Sequence, residues 1–330
     1  MTVSRPWLLP TLGAGIVFAA VSSVAVGNAA LPVDQMVQAL SEQGDPVIRA
    51  ILFELRMPRA ILAISIGAIL GLAGAAMQGY LRNPLAEPAV LGTSNGAALG
   101  AVIAFYFGFA DSWPVALPIM AICGAGASLA LLFLLAGRSE SPLTLILAGI
   151  AIATLAGAGI SLALNLSPNP FAAMEITIWL LGSLEDRSFQ HVVVALPCIM
   201  IGAALLAWDG RALDALTLGE DAAAALGTDL QRTRARILIG VAIGVGGAVA
   251  VAGAIGFVGL IVPHLIRPLT DRAPSSLLLP SALAGAVLLT LSDVAVRIIP
   301  ATTELRLGVV TAFLGVPFFV FHLMRERRLW

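Results

Sequence analysis

The chain is 330 residues long, 59% hydrophobic and only 11% charged, where soluble domains carry about 25% charged residues, so it reads as a polytopic membrane protein. Its 18 basic residues nearly balance 19 acidic ones, which excludes a nucleic-acid footprint. Every basic residue is arginine; without lysine the chain holds neither a P-loop nor a Schiff-base amine.

The first apolar run, about residues 8–27, follows Arg5. It is long enough to span a bilayer, although Val26-Gly27-Asn28-Ala29-Ala30 also mimics a signal-peptide cleavage site. In residues 32–56, Val33, Met36, Val37 and Leu40 recur at helical spacing between polar side chains, which predicts an external amphipathic segment on the membrane surface. Further apolar runs cover about 60–80, 89–110, 114–136, 142–165, 189–209, 237–254, 255–269, 278–299 and 307–324. The expectation is about ten transmembrane helices, with nine or eleven as alternatives. Twelve of the 18 arginines then fall on the side of the two termini, which makes that side cytosolic.

Residues 166–188 form an expected external loop. Ser167-Pro168-Asn169-Pro170 stops the preceding helix, and Ile176, Trp179 and Leu180 suggest a short helix at the interface. The stretch from Asp209 to Arg236 is the most charged in the chain, with nine ionisable side chains, and cannot enter hydrocarbon. Leu216, Leu218, Ala222, Ala225 and Leu226 interleave with those charges, and Gly219 and Gly227 punctuate them. One or two amphipathic helices outside the membrane are expected over 210–233, and such helices usually meet a partner. Ala73-Gly74-Ala75-Ala76 before Gly79 is echoed by Ala252-Gly253-Ala254-Ile255 before Gly259, as an inverted repeat would produce.

Few residues suggest chemistry. Arg82-Asn83-Pro84-Leu85-Ala86-Glu87-Pro88 is a rigid turn between two spans. Arg56, Arg59, Arg297 and Arg306 lie on the outer side against the usual bias; they either snorkel to lipid headgroups or dock an acidic patch on an external protein. Asp293 and Arg297 are four apart and read as a helix-face pair. Gln78, Asn95, Ser161 and Asn165 bridge helices or line a pathway. His191, His264 and His322 show no metal-site spacing, and no nucleophile–base set is present.

Together these stretches resemble one family, the FecCD-type permease subunits of binding-protein-dependent ABC importers for iron–siderophore, haem and cobalamin. The likeness is carried by Arg56-Met57-Pro58-Arg59, by Gly71 to Gln78 leading into Arg82 to Pro88, and by Leu91-Gly92 with Gly96-Ala97. It continues in Trp179 to Ser183, Leu218-Gly219-Glu220, the run Gly253 to Arg267, and Glu304 to Gly308. It implies an all-α type II importer permease in a single transmembrane domain over 1–330, in the bacterial inner membrane. It implies a homodimer with two cytosolic ATPase subunits below and a periplasmic binding protein above. The chain would have no cofactor and no catalytic residue of its own, ATP and Mg residing on the ATPase. Coupling to that ATPase would use Leu216, Leu218, Gly219, Glu220, Ala223, Leu226 and Gly227. The four outer arginines would meet the binding protein, and Asn83, Leu85, Ser141 and Asn165 would bound the pathway or its gate. An iron chelate is the expected cargo, with cobalamin as the alternative. A secondary transporter is the competing class; it needs coupling carboxylates near the midplane, and Asp293, near a span end, is the one candidate in the sequence.

Overall fold

The computed structural model describes residues 5–27, 29, 31–39, 45–109, 113, 115–137, 142–167, 169–299 and 304–326. It is organised around two helices, α4 (Met57–Tyr80) and α12 (Leu230–Ala252), whose apolar stretches are each 78% buried by the rest of the chain. Around them stand α1 (Leu8–Ala25), α6 (Ala116–Ala136), α7 (Pro142–Asn165) and α9 (Phe189–Trp208), whose apolar windows are at most 28% buried. A helix apolar all round is either core or lipid-facing; here the first two are core and the other four present Leu, Ile, Val and Phe outward. With α14 (Pro274–Ile298), and counting the Pro46–Tyr80 rod that contains α4, seven helices among the described residues are long and apolar enough to cross a bilayer.

Three expected spans take other forms. The run at 89–110 opens with a 3-10 turn, Pro88–Leu91, and only then forms α5, Thr93–Tyr106; at 1.5 Å per residue α5 is about 21 Å long. The run at 255–269 is non-helical up to Phe257 and then forms α13, Val258–Ile266, and a final 3-10 turn, Arg267–Leu269. The last, α15 (Leu307–Glu326), is apolar as far as Phe321. Non-helical backbone at membrane depth survives only where protein covers it, and both irregular stretches lie against helices: Gly92 against α7, Gly253 against Trp179 and Gly182.

The expected surface helix over 32–56 is divided. Val33–Gln38 forms α2, and residues 46–56 belong to the first central helix: α3 (Pro46–Ala50), capped by the Asp45 carboxylate accepting from the Val47 amide at 2.8 Å, runs through a π-helical turn at Ile51–Arg56 into α4. The wide turn falls just before Pro58, whose missing N–H removes one regular helical bond. The span expected from 237 likewise starts earlier. Asp229 caps it by accepting from the Arg232 amide, so Arg232, Arg234 and Arg236 sit in the first turns of α12.

Helix contacts in lipid depend on close van der Waals approach rather than on hydrophobic exclusion, and glycine supplies it. A Cβ at Gly67 would lie 2.3 Å from the Gly285 carbonyl oxygen, and one at Gly74 would lie 2.0 Å from that of Gly259. The echoed stretches of the sequence thus touch each other: Gly74 of α4 packs on Gly259 of α13. The second half also repeats the plan of the first, a central helix followed by an irregular break and a shortened helix.

Candidate functional site

Ionic contacts sort the connections into two ends, called inner and outer after the expected topology. At the inner end the charged stretch forms α10 (Gly210–Leu216) and α11 (Glu220–Ala225). Gly219 joins them at φ 102°, and Gly227 ends α11 at φ 87°. The Thr228 amide bonds Ala223 O and the Gly227 amide bonds Ala224 O, a Schellman closure that wants glycine at this position. Asp214 accepts from the Ser275 amide at 2.8 Å and pins α10 to α14. Asp209 is buried and receives two nitrogens of Arg236 at 2.5–3.1 Å.

This arrangement divides the seven residues expected to couple. Leu216 and Ala223 are buried against the chain itself and serve as anchors, so they are not a partner-facing surface; Leu218 and Leu226 are each 67% exposed. Gly219 and Gly227 shape the exposed turns, and Glu220, partly exposed, holds Arg82 at 3.3 Å.

Next to this surface, the Asn83 carboxamide oxygen accepts from the Leu85 amide at 2.9 Å, the local turn expected of Asn. Asn83 and Leu85 line a cavity of about 450 Å³ with Asn95, Ile150 and Thr154. Ser141 lies outside the described residues. Asn165 is not part of this cluster: it ends α7, a helix of 24 residues, about 36 Å long. What connects the two is one face of α7. Thr154, Ala158, Ser161 and Asn165 recur at i, i+4, i+7 and i+11, and all four are exposed.

Two polar links join distant segments; the sequence reading offered Gln78 as a helix bridge and missed Glu87. Glu87 Oε1 accepts from the Phe257 amide at 2.5 Å, joining the break before α5 to the break before α13; Phe257 holds φ 68° there. Gln78 bridges α4 and α13: its carboxamide oxygen accepts from Arg267 at 2.6 Å and its nitrogen reaches Gly259 O and Leu260 O at 3.4 Å. The sequence signal for Glu87 is a carboxylate between Pro84 and Pro88 at the edge of an apolar run; its partner is 170 residues away.

At the outer end three of the four arginines face inward. Arg56 donates to Val24 O, Ala25 O and Ala29 O at 2.6–2.9 Å. Arg297 donates to Ser23 O and Val26 O and to the Ser23 hydroxyl at 2.7–2.8 Å. Both therefore cap the C-terminus of α1, where unpaired carbonyls favour a cation. Arg59 grips Asp293 at 2.8–3.1 Å and also bonds Glu304. Arg297 closes onto Asp293 at 2.8 Å, the i,i+4 pair expected from spacing. Arg306 meets Glu185 at 2.6 Å. The expectation of outward-pointing docking groups thus meets a different arrangement: Arg56 and Arg297 are buried, because backbone carbonyls and Asp293 draw them in, and Arg306 with Glu185 forms the accessible rim. Burial pushes Arg187, between these groups, below its ordinary pKa.

Trp179, expected at the lipid interface, lies in α8 (Pro170–Leu180), a helix capped by Asn169, where it is buried and meets Phe105 edge-on. His191 closes a capping box with Ser188 at the start of α9, and His264 packs on Phe318.

An all-helical membrane domain with broken helices packed against its core, an exposed helix pair at one end and Thr154, Ser161 and Asn165 along one span is built as the membrane component of a transporter. Comparison with known proteins gives its lineage. The model of the FecCD transport family matches residues 15–325, and the chain belongs to that family. It is 41% identical over 281 residues to the vitamin B12 import permease BtuC of Vibrio cholerae, covering 84% of this chain and 83% of that one. It is 40% identical over 279 residues to the Fe(3+) dicitrate permease FecD of Escherichia coli, covering 84% and 86%. Against the ABC transporter permease YvrB of Bacillus subtilis, identity is 39% over 95% of this chain and 93% of that one. A solved structure described as an inward-facing conformation of a metal-chelate type ABC transporter superposes with a TM-score of 0.87 at 32% identity, covering 97% of this chain and all of the other. The protein is a permease subunit of an ABC importer.

Proposed function

We propose that two copies of the chain pair along α7 and α15 and enclose a conduit for a bulky metal chelate. The observation that carries this reading is the stripe Thr154–Ala158–Ser161–Asn165 on an exposed face of α7. Polar side chains in spans face a bundle interior or a water-filled cavity rather than lipid, so this face belongs to a pathway, with the Asn83–Leu85–Asn95 cavity at its inner mouth. ATP and Mg stay with two separate ATPase subunits in the cytosol. They dock on Leu218, Glu220 and Leu226, shaped by Gly219 and Gly227, and anchored through Leu216 and Ala223. A periplasmic binding protein delivers cargo to the rim around Arg306 and Glu185, with Arg56, Arg59 and Arg297 holding the platform beneath. The chain sits in the bacterial inner membrane with both termini cytosolic, as the arginine distribution favours. ATP-driven movement of α10–α11 shifts the spans bounding the pathway between outward- and inward-open states.

The stripe is tested by thiol labelling, with Cys123 and Cys198 replaced by Ala. Ser161→Cys is expected to react with a membrane-impermeant charged thiol reagent in the assembled transporter, and Met200→Cys, on the exposed apolar face of α9, to stay unreactive. Equal reactivity at the two positions, or none at Ser161→Cys, contradicts the conduit. An iron chelate is the leading cargo; cobalamin is the second, favoured by the B12 permeases among the relatives. ATP-driven uptake into vesicles of a labelled ferric chelate in preference to labelled cobalamin is the expected result, and the reverse preference overturns it.

A further inference from the structure

Three guanidinium groups converge at the inner end on a cavity that neither the conduit nor the exposed coupling face uses. Arg82, Arg267 and Arg272 line a space of about 220 Å³ together with Gln78, Thr217 and Pro274. None of the described residues lining it is acidic. Among the described residues Arg82 has one anionic partner, Glu220 at 3.3 Å, in a pair whose side chains are 40% and 32% exposed and therefore weakly held. Among the described residues, the Arg267 side chain bonds a neutral acceptor, the Gln78 oxygen, and its Nε–H is buried without a partner. Arg82 and Arg272 both hold left-handed backbone, at φ 49° and 68°, a conformation uncommon for residues other than glycine.

Like charges around a small cavity repel, and a buried N–H without an acceptor is costly. One tetrahedral oxyanion answers both, because guanidinium forks match phosphate oxygens and such charge-assisted bonds are about twice as strong as neutral ones. We propose that the Arg82–Arg267–Arg272 cavity binds a phosphate group. It comes either from the headgroup of an anionic phospholipid in the inner leaflet, where basic pockets at helix ends bind such lipids, or from a soluble phosphate. Thr217, between α10 and α11, forms part of the wall. An occupied cavity draws Arg82 away from Glu220 and frees that carboxylate for the ATPase; this consequence rests on the proposed coupling role of α11, whereas the binding itself does not.

The experiment uses the full-length permease alone, in phosphatidylcholine nanodiscs, and follows its thermal unfolding midpoint. One arm titrates inorganic phosphate against chloride at constant ionic strength; the other compares discs with and without phosphatidylglycerol. Wild type is expected to show a saturable rise in at least one arm. Arg272→Gln, at an exposed position that tolerates change, is expected to weaken the response about tenfold, and Arg232→Gln, at an exposed arginine outside the cavity, to leave it unchanged. A rise with inorganic phosphate assigns a soluble ligand; a rise with phosphatidylglycerol alone assigns a lipid. No rise in either arm, or an equal response in Arg272→Gln, or an equal loss in Arg232→Gln, overturns the site. Because no ATPase is present, failure here is separate from failure of the coupling assignment.

Discussion

The two ends of this molecule use similar side chains for opposite purposes. At the outer end Arg59, Arg297, Asp293 and Glu304 are at most 11% exposed and tie α1, α4, α14 and the 304–306 segment into one block. At the inner end Glu220 and Arg82 are about a third or more exposed, and Leu218 and Leu226 face solvent. A buried charge is held by its own chain, because leaving it unpaired is expensive; an exposed one contributes little to stability and is free to be read by a partner. The outer end is thus a rigid platform and the inner end is left exposed, as the proposed docking of an ATPase there requires.

The comparison sharpens under substitution. Asp293→Ala leaves Arg59 and Arg297 facing each other without their shared carboxylate, and is expected to cost about 3–5 kcal/mol, read as a large fall in the unfolding midpoint of the purified permease. A loss below about 1 kcal/mol would mean that the outer charges are solvated after all and that the contrast between the ends is false. At the inner end, Leu218→Asp and Glu220→Arg are expected to change stability by no more than about 0.5 kcal/mol each, because neither side chain is buried.

Where the sequence was readable, the signal was local. Ser167-Pro168-Asn169-Pro170 announces the stop of α7; Gly219 and Gly227 mark the turns around α11; Asp293 and Arg297 meet because they are one helical turn apart. Where reading failed, the determinant was distant or lay in the backbone. Arg56 is drawn inward by carbonyls of α1, and no side chain in the sequence marks them. Glu87 finds the amide of Phe257 far along the chain, so its loop reads as a turn and nothing more. The shortened α5 follows from Gly92 at φ 75°, whose place a Cβ would take only by meeting Ile152 and Gly149 of α7; an apolar run alone carries no trace of that packing. The division of the expected coupling residues into buried and exposed ones is tertiary in the same way, because Leu216 and Leu218 are alike in composition and differ only in which way the joint between α10 and α11 turns them.

The most direct test of the account is retention of the cognate ATPase by the detergent-solubilised complex. Wild type is expected to co-purify with it, and Glu220→Arg to lose it while keeping the wild-type unfolding midpoint. Full retention of the ATPase by a folded Glu220→Arg permease would contradict the assignment of the inner helix pair as the surface through which the energy of ATP enters this chain.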